Sequence, residues 1–336
     1  MKRPDRPPEN PPPTTDASQG TWDLARGYNR RYLHWSDLEY RDTGPDSREA
    51  LWAAMTSMRR GTETTITIGD LVLRLNTTPD MLMTLDRLDA FPSASGDRVP
   101  DPLPDAVMRE AVASSAMEGA TTPVGKALRM LRDGTDPVDR SESMIKGDHE
   151  AMLLAIGRSG EGMTPDLLRD IHAAVTRGNL DDPSYRGRFR DDDSIAVRDV
   201  LTGETHHVPP SHMRIDGFVG ALCRFADGDG PRIHPVVRAV VAHYALAWIH
   251  PFTDGNGRTS RCLFHRCMLH HGLPGVLHLS LSEVLRDHRG RYDRAFQLTE
   301  TDGGDVTYFV DMNLRALSEA VDRSLSRVDR TPMRLR

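Results

Sequence analysis

Twelve consecutive residues, His250-Pro-Phe-Thr-Asp-Gly-Asn-Gly-Arg-Thr-Ser-Arg261, bring together an imidazole, a carboxylate, a glycine-rich turn and two guanidinium groups. Gly255, Asn256 and Gly257 all tolerate left-handed backbone geometry, so the chain can turn sharply there and aim successive N–H groups at one point. From Arg258 onward, Cys262, Leu263, Cys267 and Met268 recur as the apolar positions of a helix. The turn therefore sits at a helix N-terminus, where free N–H groups and the positive end of the dipole favour phosphate. Arg258 and Arg261 lie three apart on the first turn, placed to grip different phosphates of one polyphosphate. Asp254, just ahead of the turn, suits a magnesium ion bridging those phosphates, because magnesium is usually held by one or two carboxylates plus phosphate oxygens. His250 is the candidate general base. Each residue alone has a plainer reading: most histidines at helix ends are structural, and Gly-Asn-Gly is commonly an ordinary turn. The joint arrangement carries the chemistry.

Other elements must position this stretch. Pro235 to Ile249 is nearly all apolar, with its one proline at the start, and reads as a buried helix delivering His250. Ala111-Val-Ala-Ser-Ser-Ala-Met-Glu-Gly119 reads as a helix of small residues closing at Gly119. Glu118, a carboxylate at the disfavoured end of that helix dipole, calls for a partner elsewhere. From Tyr185, the run through Phe189, Arg190, Ile195, Val197 and Val200, a turn at Leu201–Glu204, and Thr205 to Val208 before Pro209 and Pro210 reads as a β-hairpin. An open edge on such a hairpin can take a partner segment as an added strand.

The signature His250-Pro-Phe-x-Asp-Gly-Asn-Gly-Arg-x-x-Arg261 resembles that of Fic-domain proteins, most of whose active members transfer AMP from ATP to a protein hydroxyl. Ser260 stands where many relatives carry glycine, at a variable position. The resemblance implies roles residue by residue. His250 deprotonates the target hydroxyl, Asp254 binds Mg2+, Gly255, Asn256 and Gly257 form the anion hole, and Arg258 and Arg261 hold the outer phosphates. Phe252 anchors the loop, and Tyr292 lies near the nucleotide. Ser114-x-x-x-Glu118-Gly119 resembles the family's inhibitory motif, carried N-terminal to the core on the same chain, with Glu118 pairing with Arg261. The hairpin resembles the family's flap, along which a target protein binds.

At 336 residues the chain can hold one large domain or two modest ones. Its net charge of -6 argues against a general nucleic-acid binder. Cys223, Cys262 and Cys267 show no paired spacing, and His265, Cys267, His270 and His271 follow no standard metal-ligand pattern. With no long apolar run and no signal-peptide core, the expected location is the cytoplasm, away from any membrane.

The fold class expected is mainly α: a Fic helical core with a small β-hairpin flap and a helical N-terminal extension. Residues 1–20, rich in proline, are expected as a disordered tail. Residues 21–105 form the extension, within which Thr64 to Leu75 alternates as a strand would. Residues 106–325 form the Fic domain, with the inhibitory helix at about 107–119 and the flap at about 190–210. Residues 326–336 form a C-terminal tail. The expected function is protein adenylyltransferase on a Tyr, Thr or Ser hydroxyl of a target, or of the chain itself, with ATP as co-substrate and Glu118 as inhibitor. Three alternatives stay open: a different enzyme on the same site, using another donor or removing AMP; a non-enzymatic ATP-sensing regulator; and a structural interaction module built on the tail and N-terminal helices. A homo-oligomer also stays open.

Overall fold

The computed structural model describes residues 3–9, 11–91, 105–198 and 203–329. Its centre is a pair of helices, α9 (Pro235–Ile249) and α10 (Asn256–His270), joined by the loop that carries the signature. α9 is buried on nearly every side, with Val236, Val240, Tyr244 and Ile249 all buried, as expected for a mostly apolar helix that other elements surround. Around this pair pack α4 (Asp105–Met117), α6 (Arg140–Gly157), α7 (Pro165–Val175) and α8 (Ile215–Asp227). α11 (Leu281–Asp287), α12 (Arg289–Thr301) and α13 (Thr307–Asp329) close the other side. A shorter α5 (Val124–Asp133) lies against α4 and α6.

Local chemistry sets several boundaries. Thr164 accepts a hydrogen bond from the Leu167 N–H with Pro165 in the first helical position, so α7 starts where the sequence signals it. Asp139 caps α6 in the same way through the Glu142 N–H. α8 has no counterpart among the expected elements, although Ile215, Phe218, Val219, Leu222 and Phe225 recur at helical spacing and are buried.

The N-terminal extension is two structures rather than one. α1 (Gln19–Arg30) and α2 (Arg48–Arg60) enclose a small core of their own around Leu38, Leu51, Trp52 and Met55. The hairpin β1 (Thr64–Ile68) and β2 (Leu71–Leu75), and α3 (Pro79–Asp89), instead join the main core through Ile66, Ile68, Leu73, Met81 and Leu85. The extension is thus not wholly helical: the alternation from Thr64 to Leu75 is a strand pair turning at Gly69 and Asp70.

The tail expected to be disordered differs where described. Pro4 is buried, Arg3 lies 3.8 Å from Glu300, and Ser18 caps α1 while donating to Asp46. At the other end α13 runs past the expected boundary to Asp329. The flap is a short antiparallel pair, β3 (Val197–Arg198) with β4 (Thr205–His207). Residues 199–202, with Val200 and the start of the expected turn, lie outside the described residues. No helix among the described residues is long and apolar enough to cross a membrane.

Candidate active site

α9 ends on His250 itself, whose φ of 49° is left-handed, a conformation usually left to glycine at this position. The turn closes with the His250 N–H bonded to the Leu246 carbonyl at 2.9 Å. The ring is oriented by Nδ1, 3.3 Å from the Ala247 carbonyl. A carbonyl only accepts, so Nδ1 carries the proton and Nε2 keeps its lone pair. Burial pushes the imidazole down to about 4, against smaller upward pulls from the Ala247 carbonyl and Glu118. At neutral pH the ring is a neutral base.

The loop after His250 is closed from within. Asn256 donates to the Phe252 carbonyl at 2.8 Å and accepts from the Phe252 N–H at 3.0 Å. Phe252 is fully buried, and His172 on α7 stacks on it at 3.7 Å between ring centroids. His172 Nδ1 accepts from the Gly187 N–H at 3.1 Å, so Nε2 donates to the Asp254 carbonyl at 2.9 Å. Gly255, at φ 78°, begins α10, and a Cβ there would come within 2.9 Å of Thr176. Arg190 ties the flap to the loop: its N–H bonds the Pro251 carbonyl at 2.9 Å, its Nε the His250 carbonyl at 3.0 Å, and its Nη2 the Pro210 carbonyl. His172 went unread in the sequence, and Arg190 was read only as part of the hairpin's lead-in, not as the tie between flap and loop. Their signals are faint, a polar residue on the buried face of an amphipathic helix and an arginine ahead of an acidic run.

The two signature arginines part ways. Arg258, expected to grip a phosphate, is buried beneath the loop and donates to the Val175 carbonyl at 3.0 Å and to Asn179 at 3.3 Å. Its nearest approach to the mouth is Nη2, 3.9 Å from Asp254. Arg261 is held by α4: Nε donates to Ser114 Oγ at 2.9 Å, and Nη2 to the Ser114 carbonyl at 3.0 Å and to Glu118 Oε1 at 2.8 Å. Glu118 follows the last turn of α4, whose end is fixed by Arg289 donating to the Met117 carbonyl at 2.7 Å. Burial works to raise the Glu118 carboxyl, but Arg261, with Arg258 and Arg289 behind it, holds it below its ordinary value.

The carboxylate also meets α10 directly. A Cβ added at Gly257 would fall 2.2 Å from Glu118 Oε1, so only glycine lets this anion reach the first turn. Helix geometry leaves the first N–H groups of α10 without intrahelical partners, and Glu118 lies beside Gly257 in that first turn. Behind the arginines, burial pushes Asp148 up to about 6 while Arg258 and Arg261 pull it down. Tyr292 is buried, donates to or accepts from His243 at 2.9 Å, and is pushed up to about 12 by burial.

Asp254 is about half exposed at the mouth, its Oδ1 accepting from the Gly255 N–H at 2.6 Å. Among the described residues no group of three or more His, Cys, Asp and Glu side chains could hold a metal ion. A single carboxylate fits a cation that arrives with phosphate oxygens and water as its other ligands.

A helical core with a signature loop between two central helices and a small hairpin beside it defines a class of protein, and comparison with known proteins gives the same one. Residues 162–268 match the Fic/DOC family. The protein adenylyltransferase Fic of Nematostella vectensis is 28% identical over 222 residues, 63% of this chain and 47% of that protein. The protein adenylyltransferase Fic of Culex quinquefasciatus is 34% identical over 167 residues, 48% of this chain and 28% of that protein. The chain thus spans about half or less of these curated relatives. A Fic family protein from Desulfovibrio desulfuricans G20 shares the fold at TM-score 0.63 and 21% identity, over 77% of this chain and 78% of that one. Fic-1 from C. elegans does so at TM-score 0.60 and 20% identity, over 91% of this chain and 84% of that one.

Proposed function

We propose that the protein is an adenylyltransferase that moves AMP from ATP to a Tyr, Thr or Ser hydroxyl of a target protein, and that Glu118 holds it inactive. The observation that carries this reading is the place of the Glu118 carboxylate, beside Gly257 in the first turn of α10 and paired with Arg261. A carboxylate there stands in for a phosphate. When it leaves, the N–H groups and Arg261 are free for the outer phosphates, which sets the α-phosphorus for attack. His250 Nε2 takes the proton of the target hydroxyl as its oxygen bonds the α-phosphorus, and pyrophosphate departs with the bridging oxygen. Asp254 would hold magnesium, which when bound draws charge from the phosphates. The target segment lies along the flap, which Arg190 fixes relative to His250.

While Glu118 stays paired, ATP can enter only with its phosphates displaced, and misalignment of that kind costs about a hundredfold in rate. The test compares wild type with Glu118→Gly, each given magnesium and ATP labelled at the α-phosphate, with a lysate as a source of targets and intact mass as a second readout. The expected result is a near-silent wild type and a variant that labels itself or other proteins at least about a hundredfold faster. If both proteins bind ATP and neither transfers label, the reading fails in favour of an ATP-sensing regulator.

A further inference from the structure

The return strand of the flap carries two adjacent histidines, and both meet other elements. His206 Nδ1 lies 3.0 Å from Gln297 Nε2 on α12. His207 is wedged between two acceptors: its Nε2 is 2.7 Å from the Trp248 carbonyl on α9, and its Nδ1 is paired with Glu300 Oε1, one turn along α12 from Gln297. A carbonyl and a carboxylate can only accept. A neutral imidazole has one N–H and a protonated one has two, so both contacts hold together only when the ring carries both protons. When one proton leaves, one contact becomes a meeting of lone pairs.

We propose that His207 is a positioning residue whose second proton latches the flap onto the end of α9, two residues before His250. The groups around it are Glu300 on α12, Arg3 and Arg6 of the N-terminal segment, which line the same cleft of about 450 Å³, His206 on its own strand and His250 at the end of α9. Arg3 itself lies 3.8 Å from Glu300, so the N-terminal segment shares the carboxylate that the latch uses. The proton has two effects. It fixes β4 on α9 and α12, and its charge is among the groups that keep the His250 ring neutral. The latch stands on its geometry; its consequence for catalysis rests on the transferase reading.

The experiment follows the latch and the chemistry separately. Histidine ring signals are titrated by NMR in the full chain, and backbone hydrogen exchange of residues 203–207 is measured over the same pH range, corrected for the intrinsic rate. Protection of the flap is expected to fall about tenfold as the His207 ring loses its second proton, the scale of one charge-assisted hydrogen bond. His207→Gln, which donates from one nitrogen only, and Glu300→Gln, which removes the carboxylate, should each abolish that pH dependence. Protection that ignores the His207 titration, or that follows pH equally in both variants, overturns the latch. In a Glu118→Gly background, His207→Gln should also move the acid limb of label transfer to higher pH, because a positive charge near His250 is gone. An unmoved limb overturns the electrostatic effect. A Glu118→Gly protein that transfers nothing overturns the transferase reading and leaves the exchange result standing.

Discussion

His250 is held at a φ that costs a non-glycine residue on the order of 1–2 kcal/mol, and the surroundings repay it through the Leu246 carbonyl bond and Arg190 on its own carbonyl. The gain is a neutral imidazole whose Nε2 lone pair is free. His250→Ala should therefore lower label transfer by the Glu118→Gly protein about 10²- to 10⁴-fold while leaving ATP affinity, measured by calorimetry, nearly unchanged. The sign of the pH effect follows from its pull down to about 4. The ring loses its proton as pH rises through that value, so transfer stays level from neutral pH to about pH 5 and falls only on approaching 4. Glu118 is among the groups that raise the ring, so in the released protein the limb lies no higher than this. Ser114 acts on the opposite partner. Ser114→Ala removes one of three bonds to Arg261 and leaves the Ser114 carbonyl and Glu118 in place. Basal transfer should rise about tenfold, well short of Glu118→Gly, because one charge-assisted bond contributes roughly 1.5–3 kcal/mol. The Glu118–Arg261 pair stands at the lower end of such values, since the Glu118 side chain is 32% exposed and water screens it.

At the level of elements, the proposed inhibition rests on the docking of α4. Glu110, two turns ahead of Glu118, is buried and accepts from the Ser282 N–H at 2.9 Å, from Ser280 at 3.2 Å and from the Ser282 hydroxyl, with His265 at 3.4 Å. These bonds clamp α4 to α11 and α10, so the position of Glu118 depends on them. Glu110→Gln puts an amide N–H against donors. It should lower stability by about 1–3 kcal/mol in urea denaturation and raise basal transfer with Glu118 intact; lost stability with unchanged transfer would show that α4 keeps its place without the clamp. The α9–loop–α10 unit was legible in the sequence because its determinants are local: an apolar run, a glycine turn and a helix start within thirty residues. The hairpin around Thr64–Leu75 was legible by its alternation. What stayed hidden depends on partners distant in the chain. Spacing places Arg258 and Arg261 on one turn, but the Val175 carbonyl, brought near by α7, decides that Arg258 points inward. His172 reads as part of a plain amphipathic helix, since the loop that it holds lies 82 residues later. The proline-rich tail reads as loose because Glu300, its partner, is at the far end of the chain.

Several buried histidines are kept neutral by the fold, and this shapes its response to acid. Burial pushes His34 and His243 down to about 3, and His172 and His250 down to about 4, from an ordinary 6.5. In the unfolded chain these rings take up protons as pH falls below about 6.5, while the folded protein refuses them until about 4 or lower. Their contribution to stability is thus complete above pH 6.5 and is lost as pH falls toward 3–4, with stability rising with pH across that window. Asp148 and Asp302, both raised to about 6, work in the opposite sense: their folded forms bind protons first, so their contribution is present at low pH and lost as pH rises through 6. These four histidines against two carboxylates with smaller shifts leave a net acid sensitivity, on the order of a few kcal/mol between pH 6.5 and 4. The urea midpoint should fall steadily over that range at constant slope. His34→Gln and His243→Gln should each flatten the dependence while lowering stability at pH 7, because they remove a buried ring that the fold has packed. A midpoint independent of pH between 6.5 and 4 would mean that water reaches these rings in the folded state. The same decline overlaps the acid limb assigned to His250, so label transfer below pH 5 has to be timed within the folded lifetime, with near-ultraviolet circular dichroism recorded on the same samples. Only a fall in rate that precedes the loss of that signal reports protonation of His250, the proposed base.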